Sequence, residues 1–120
     1  MKNRRILIVD DNEDAAQTLG MLLELSGHEV HLAHDGEQAV IRACELRPDI
    51  ALVDIGLPKL DGYGVARAVR EQPWGEDVVL VALTGWAQDE DKRRAVEAGF
   101  NFHLAKPVDP DVLDELIGKC

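Results

Sequence analysis

Three runs of aliphatic residues constrain this chain more than any other feature: Arg5-Ile6-Leu7-Ile8-Val9, Asp49-Ile50-Ala51-Leu52-Val53 and Val78-Val79-Leu80-Val81-Ala82-Leu83. Each is apolar at consecutive positions. A strand with one wet face alternates, whereas a strand covered on both faces does not, and continuous apolarity is the mark of a parallel sheet. Weaker strand candidates over 29–33 and 101–105 bring the expected number to five. Helical patterns fill the gaps. Ala16, Leu19, Leu22 and Leu23 share a face ahead of Ser26-Gly27. Ala39, Val40, Ala43 and Leu46 repeat the pattern before Pro48, and Val65, Ala68 and Val69 do so before Pro73. Ala95, Val96 and Ala98 lead into Gly99, a natural helix-ending glycine. Pro110 suits the start of a last helix with Val112, Leu113, Leu116 and Ile117 inward.

Strand and helix alternating five times predict an α/β fold: a doubly wound parallel sheet with helices on both faces and right-handed crossovers. No linker, repeat or low-complexity stretch interrupts the pattern, so residues 1–120 read as one domain. In such sheets, ligands gather beyond the carboxyl ends of the strands, where the strand order reverses.

Composition narrows the function classes. With 23 acidic against 13 basic residues, the net charge of −10 repels phosphate backbones and argues against direct nucleic-acid binding. Apolar runs fall well short of the roughly 20 residues of a membrane span, which argues against membrane insertion. The first residues lead straight into a strand with no signal-peptide pattern, so a cytoplasmic protein is expected. Cys44 and Cys120 lack metal or redox spacing, and His28, His31, His34 and His103 are scattered. Reduced cysteines and solvated histidines are expected, not a zinc site.

The predicted strand ends are unusually polar. The first ends in Asp10-Asp11, the third in Asp54, the fourth in Thr84 and the fifth in Lys106-Pro107. Singly, each has a plain structural role: Asp10 and Asp11 could cap a helix, Asp54 and Thr84 could open turns, and Lys106 could be a surface cation. On four of five strand ends at once, they point to convergence on one crevice. Three carboxylates there would repel one another and would suit a hard dication such as Mg2+, which prefers oxygen ligands. Lys106 and the Thr84 hydroxyl could then address further phosphoryl oxygens, and Asp54 could act as a carboxylate nucleophile.

Taken in order, Ile8-Val9-Asp10-Asp11-Asn12, Val53-Asp54-Ile55-Gly56-Leu57-Pro58 with Asp61-Gly62, Ala82-Leu83-Thr84-Gly85 and Ala105-Lys106-Pro107 resemble the receiver domains of two-component response regulators over essentially the whole chain. The resemblance implies the flavodoxin-like strand order 2-1-3-4-5. It implies Asp54 as phosphoacceptor, taking its group from a phosphohistidine on a sensor histidine kinase or a histidine phosphotransfer domain. It further implies that Asp10, Asp11, Asp54 and the Gly56 backbone carbonyl hold Mg2+, that Thr84 hydrogen-bonds the phosphoryl group, and that Lys106 pairs with it. A cis Lys106–Pro107 bond is also implied.

Certain positions depart from the commonest family pattern. The switch position, usually Tyr or Phe, is His103, read here as a flat ring in the aromatic's packing role, with pH sensitivity as the alternative. Gly56 offers no side chain to shield the phosphoryl group, and Trp86 could cover the site instead or pack as a loop aromatic. The expected function is a phosphorylation-controlled switch that changes its fourth-helix and fifth-strand surface for an unknown downstream partner. The chain is expected to catalyse only its own phosphorylation and dephosphorylation. The chain's end at Gly118-Lys119-Cys120 and the wording His103-Leu104-Ala105-Lys106-Pro107-Val108 keep open a receiver excised from a hybrid sensor histidine kinase. A Mg2+-dependent phosphohydrolase working through an aspartyl phosphate is the enzymatic alternative, and Gly56 counts against it, because such enzymes place a second Asp there.

Overall fold

The computed structural model describes residues 4–57, 60–85, 89–106 and 108–119. Five strands alternate with five helices: β1 (Arg5–Val9), α1 (Glu13–Leu25), β2 (Glu29–Ala33), α2 (Gly36–Leu46), β3 (Ile50–Asp54), α3 (Gly62–Arg70), β4 (Val79–Thr84), α4 (Asp89–Ala98), β5 (Phe102–Ala105) and α5 (Pro110–Lys119). A single 3-10 turn over Gly75–Asp77 precedes β4. The strands form one parallel sheet in the order β2-β1-β3-β4-β5, as expected.

Alternate side chains of the same strands build two cores. Ile6, Ile8, Ile50, Leu52, Val81 and Leu83 face α1 and α5. Leu7, Val9, Ala51, Val53, Leu80 and Ala82 face α2, α3 and α4, where small residues such as Ala39, Ala43, Ala66, Ala95 and Ala98 let helices approach the sheet closely. The central strands are buried on both sides, which is why they read as unbroken apolar runs.

Helix starts carry side-chain caps. Asn12, not Asp10 or Asp11, caps α1 through Ala15 N–H, Asp35 caps α2 and Asp61 caps α3. Gly27 and Gly99 take the positive φ values of +94° and +112° that end α1 and α4. Three expected core residues are instead exposed: Leu22, Val96 and Val112. Each sits about 100° around its helix from a buried neighbour (Leu23, Ala95 and Leu113), so a hydrophobic-stripe reading one residue too wide includes it. Among the described residues, no helix is long and apolar enough to cross a membrane.

Candidate functional site

Strand register levels the carboxyl ends of the central strands. Val9 pairs with Val53, Asp54 with Leu83 and Thr84 with Ala105. The ladder runs one residue further through Asp10 N–H to Ala33 C=O, Ile55 N–H to Leu83 C=O, and Lys106 N–H to Thr84 C=O. Asp10, Asp54, Thr84 and Lys106 therefore leave the sheet side by side. Asp10, Asp54 and Thr84 are the buried polar side chains among the described residues, at 5%, 9% and 8% exposure.

The Lys106 ammonium donates to Asp54 Oδ2 at 2.8 Å and to Asp10 Oδ2 at 3.3 Å. Each carboxylate spends its other oxygen on a nearby backbone amide, Asp54 Oδ1 accepting from Gly56 N–H and Asp10 Oδ1 from Asn12 N–H, both at 3.0 Å. The two amides are fixed by tight turns just past the strand ends, so the backbone aims both carboxylates at a shared point. Asp11 is exposed, yet Asp10, Asp11 and Asp54 each offer an oxygen within 4.8 Å of the others. Burial pushes the Asp10 carboxyl above its ordinary range, and the like charge of Asp54 adds to that, against the opposing pull of Asn12 N–H and Lys106. Burial also works against the Lys106 ammonium, but its hydrogen bond and attraction to Asp54, then to Asp10, win and hold it above the usual lysine value.

Thr84 Oγ1 is buried and has no hydrogen-bond partner among the described residues. A native buried hydroxyl rarely goes unpaired, and one beside a charged crevice is available to a ligand. It faces a cavity of about 350 Å³ lined by Asp54, Gly56, Tyr63, Thr84, Gly85 and Lys106. A larger groove of about 680 Å³ runs from Asp10 and Lys106 along Ala15, Leu19 and Leu22 of α1 to Val108. The donor set fits a hard dication: three carboxylates with a single ammonium among them leave excess negative charge, and every side-chain ligand is oxygen.

The expected residues Asp10, Asp11, Asp54, Gly56, Thr84 and Lys106 thus meet in one place. His103 does not. It lies exposed on the edge strand β5, opposite Ala82 in register, and so does not fill a packed aromatic's place. Trp86 and Pro107 fall outside the described residues. The other histidines are not simply solvated: His28 Nδ1 accepts from Arg4 N–H, His31 Nε2 meets Glu29 at 2.9 Å, and His34 Nδ1 lies 3.2 Å from the Asp10 carbonyl. Sequence reading missed Tyr63 in the cavity wall. Its only sequence signal is its place one residue after Asp61-Gly62, at the start of the helix that follows Asp54.

A doubly wound sheet with an acid cluster, a lysine and a buried hydroxyl at its strand ends defines a class of small phosphoryl-handling α/β domains. The response regulator receiver domain matches residues 6–118, and the chain belongs to that family, whose members signal in two-component phosphorelays. Transcriptional regulatory protein PrrA of Mycobacterium leprae is 39% identical over 96% of this chain, which covers 47% of that protein. A 14.6 kDa protein of Leptolyngbya boryana is 38% identical over 93% of this chain and 86% of its own length. The chain thus spans most of one relative and about half of the other. Among solved structures, chemotaxis response regulator CheY4 of Vibrio cholerae superposes with a TM-score of 0.92 at 28% identity, covering 98% of each chain. The receiver domain of sensor histidine kinase PA1611 from Pseudomonas aeruginosa, solved with magnesium coordinated in its active-site cleft, superposes at 0.89 with 36% identity over 98% and 97% of the two chains.

Proposed function

We propose that Asp54 is the phosphoacceptor of this receiver and that the chain is a switch whose surface around α4 and β5 is read by a partner. The observation that carries this is the bridge from Lys106 to Asp54 and Asp10, with Asp54 and Lys106 sharing a cavity with a Thr84 hydroxyl that has no partner among the described residues. The donor is a phosphohistidine on a sensor histidine kinase or a phosphotransfer domain. An Asp54 carboxylate oxygen forms the new bond to phosphorus as the phosphorus–nitrogen bond breaks. The released electron pair stays on the imidazole, which takes up a proton from solvent.

Asp10, Asp11, Asp54 and the Gly56 carbonyl would hold Mg2+, and the PA1611 receiver carries a magnesium ion in its active-site cleft. When bound, it offsets the charge of the carboxylates and the incoming phosphoryl oxygens. Lys106 holds its proton and pairs with the transferred group, shifting off Asp54 as it does so. Thr84 gains the hydrogen-bond partner it lacks by turning its hydroxyl to a phosphoryl oxygen, and that turn is the step that alters the β4–α4 region. His103, exposed on β5, belongs to the surface the partner reads. The 36% identity to a sensor-kinase receiver supports a second reading of the parent architecture, in which this domain serves a hybrid sensor histidine kinase.

Incubation with acetyl phosphate and Mg2+ should add one phosphoryl group to the intact mass. Asp54→Asn and chelation by EDTA should each abolish the adduct. An adduct of equal yield in Asp54→Asn would overturn the assignment. Sustained turnover of a phosphate ester with no adduct would favour the phosphohydrolase.

A further inference from the structure

Away from the crevice, Arg70 closes α3 with a half-buried fork. Its Nε and Nη2 donate to the Gly99 carbonyl at 2.9 and 2.7 Å, and Nη1 donates to the Gly75 and Val78 carbonyls at 2.6 and 2.7 Å. Nη2 also reaches Asn101 Oδ1 at 2.7 Å, an oxygen that accepts Leu80 N–H as well. These acceptors are neutral. Burial pulls the guanidinium below its usual value, and Glu76 acts through space in the opposite direction. Gly99 is specified twice over, by its φ of +112° and because a Cβ there would stand 2.7 Å from Arg70 Cγ. One side chain thereby ties the carboxyl end of α4 to α3, the 3-10 turn and the start of β4. A cation just past a helix carboxyl end also meets the negative end of its dipole.

One turn earlier, α4 meets α3 by a contact of different strength. The Arg94 guanidinium carbon lies 4.5 Å from the centroid of the Tyr63 ring. Arg94 is exposed, whereas Tyr63 is 5% exposed and forms a wall of the Asp54–Thr84 cavity. A solvent-facing cation over a ring is a weak and reversible link. A planar fork gripping three segments resists displacement of the end it holds, because several charge-assisted bonds would break together, and so leaves the loosely held end the freer of the two.

We propose that α4 is a lever hinged at its carboxyl end by Arg70, and that the Arg94–Tyr63 stack is the releasable contact through which occupancy of the Asp54 cavity sets the lever's position. This rests on the reading of Asp54 as acceptor. A group bound in the cavity displaces the ring that Arg94 covers, and the site-facing part of α4 swings while Gly99 to Asn101 stay in place. The partner-reading surface is then a rotation of α4 about a known point, not a shift of the whole α4–β5 unit.

The test uses the full chain with Mg2+ and beryllofluoride, a phosphoryl mimic, and follows backbone amide shifts. Wild type should show large changes over Lys92 to Ala95 and changes about fivefold smaller over Gly99 to Asn101, as a hinge requires. Equal changes in both segments would overturn the hinge. Arg94→Gln removes the charge that holds the resting position and should tighten beryllofluoride binding about threefold, with Arg94→Lys close to wild type. Wild-type affinity in Arg94→Gln would overturn the releasable stack. Arg70→Lys keeps the charge but not the fork, and should spread the change into Gly99 to Asn101; continued confinement in that variant would overturn Arg70 as hinge. If it fails to fold, the wild-type pattern alone decides. A wild-type protein that forms no adduct overturns the acceptor reading itself, whereas an adduct with uniform shifts overturns only the lever.

Discussion

The two ends of the sheet hold similar numbers of charges and treat them in opposite ways. At the amino ends, Arg5 Nε pairs with Glu29 at 2.6 Å, its Nη1 donates to the Leu46 carbonyl, and its backbone N–H donates to Asp49 Oδ2. Both partners of this ion pair are matched and about half in solvent. At the carboxyl ends, two buried carboxylates compete for one ammonium, the Asp10 carboxyl is pushed up by its burial, and Thr84 Oγ1 finds no partner among the described residues. A chain folding only for stability would treat both ends like the first. Unmatched polarity in the second fits the ion and phosphoryl group proposed above, which would complete it.

The largest expected effect follows from removing the cation that holds the carboxyl end together. Lys106→Ala leaves two buried carboxylates facing each other and should cost about 2 kcal/mol, less than a fully buried pair because Lys106 is a third exposed. A thermal melt should fall by about 8 °C, with partial recovery in millimolar Mg2+. No recovery would count against a dication at this site. The loss should be full at neutral pH. Lys106 is held above its ordinary value, so its contribution disappears only as pH climbs past that raised value.

Asp10→Asn should act in the opposite direction, raising the melting temperature of the metal-free protein by about 4 °C, on the order of 1 kcal/mol. Folding raises the Asp10 pKa, so this carboxyl favours the fold in acid and loses that contribution as pH rises through the raised value. The advantage of Asp10→Asn should therefore be absent near pH 3 and full at pH 7, on the ordinary carboxylate scale. Destabilisation at pH 7 would remove the contrast between the two ends. Glu29→Gln marks the smallest effect. Its ion pairs with Arg5 and His31 lie in solvent, and the melt should move by about 1 °C or less.

Much of the architecture was legible in the sequence because burial on both faces writes itself directly into residue type. The runs through Ile6 and Ile50 needed no context to be read as inner strands, and Gly99 declared the end of α4. The site was legible for a related reason: polar residues immediately after such runs must emerge at the strand tips, and a parallel sheet collects those tips. What escaped is carried by contacts between distant segments with no local pattern. Nothing in the stretch around Arg70 announces that its fork will meet Gly99 and Asn101, and nothing around Arg94 announces the Tyr63 ring. Leu22, Val96 and Val112 escaped for a geometric reason, since periodicity marks a stripe's centre better than its width. His103 was assigned a packing role from its ring shape, whereas an edge strand leaves that ring in solvent.

The level pairing of Val9 with Val53 and Asp54 with Leu83 also makes the two ends differ in how they tolerate changes of chain length. Adding or deleting one residue inside β3 would invert its pleat phase, turning Asp54 toward the opposite layer and carrying every inward side chain with it. The turns entering β2 and β3 at the far edge have no such duty, and lengthening them should leave the chemistry untouched. Variation among descendants of this chain should therefore accumulate as insertions on one rim and be confined to substitutions on the other.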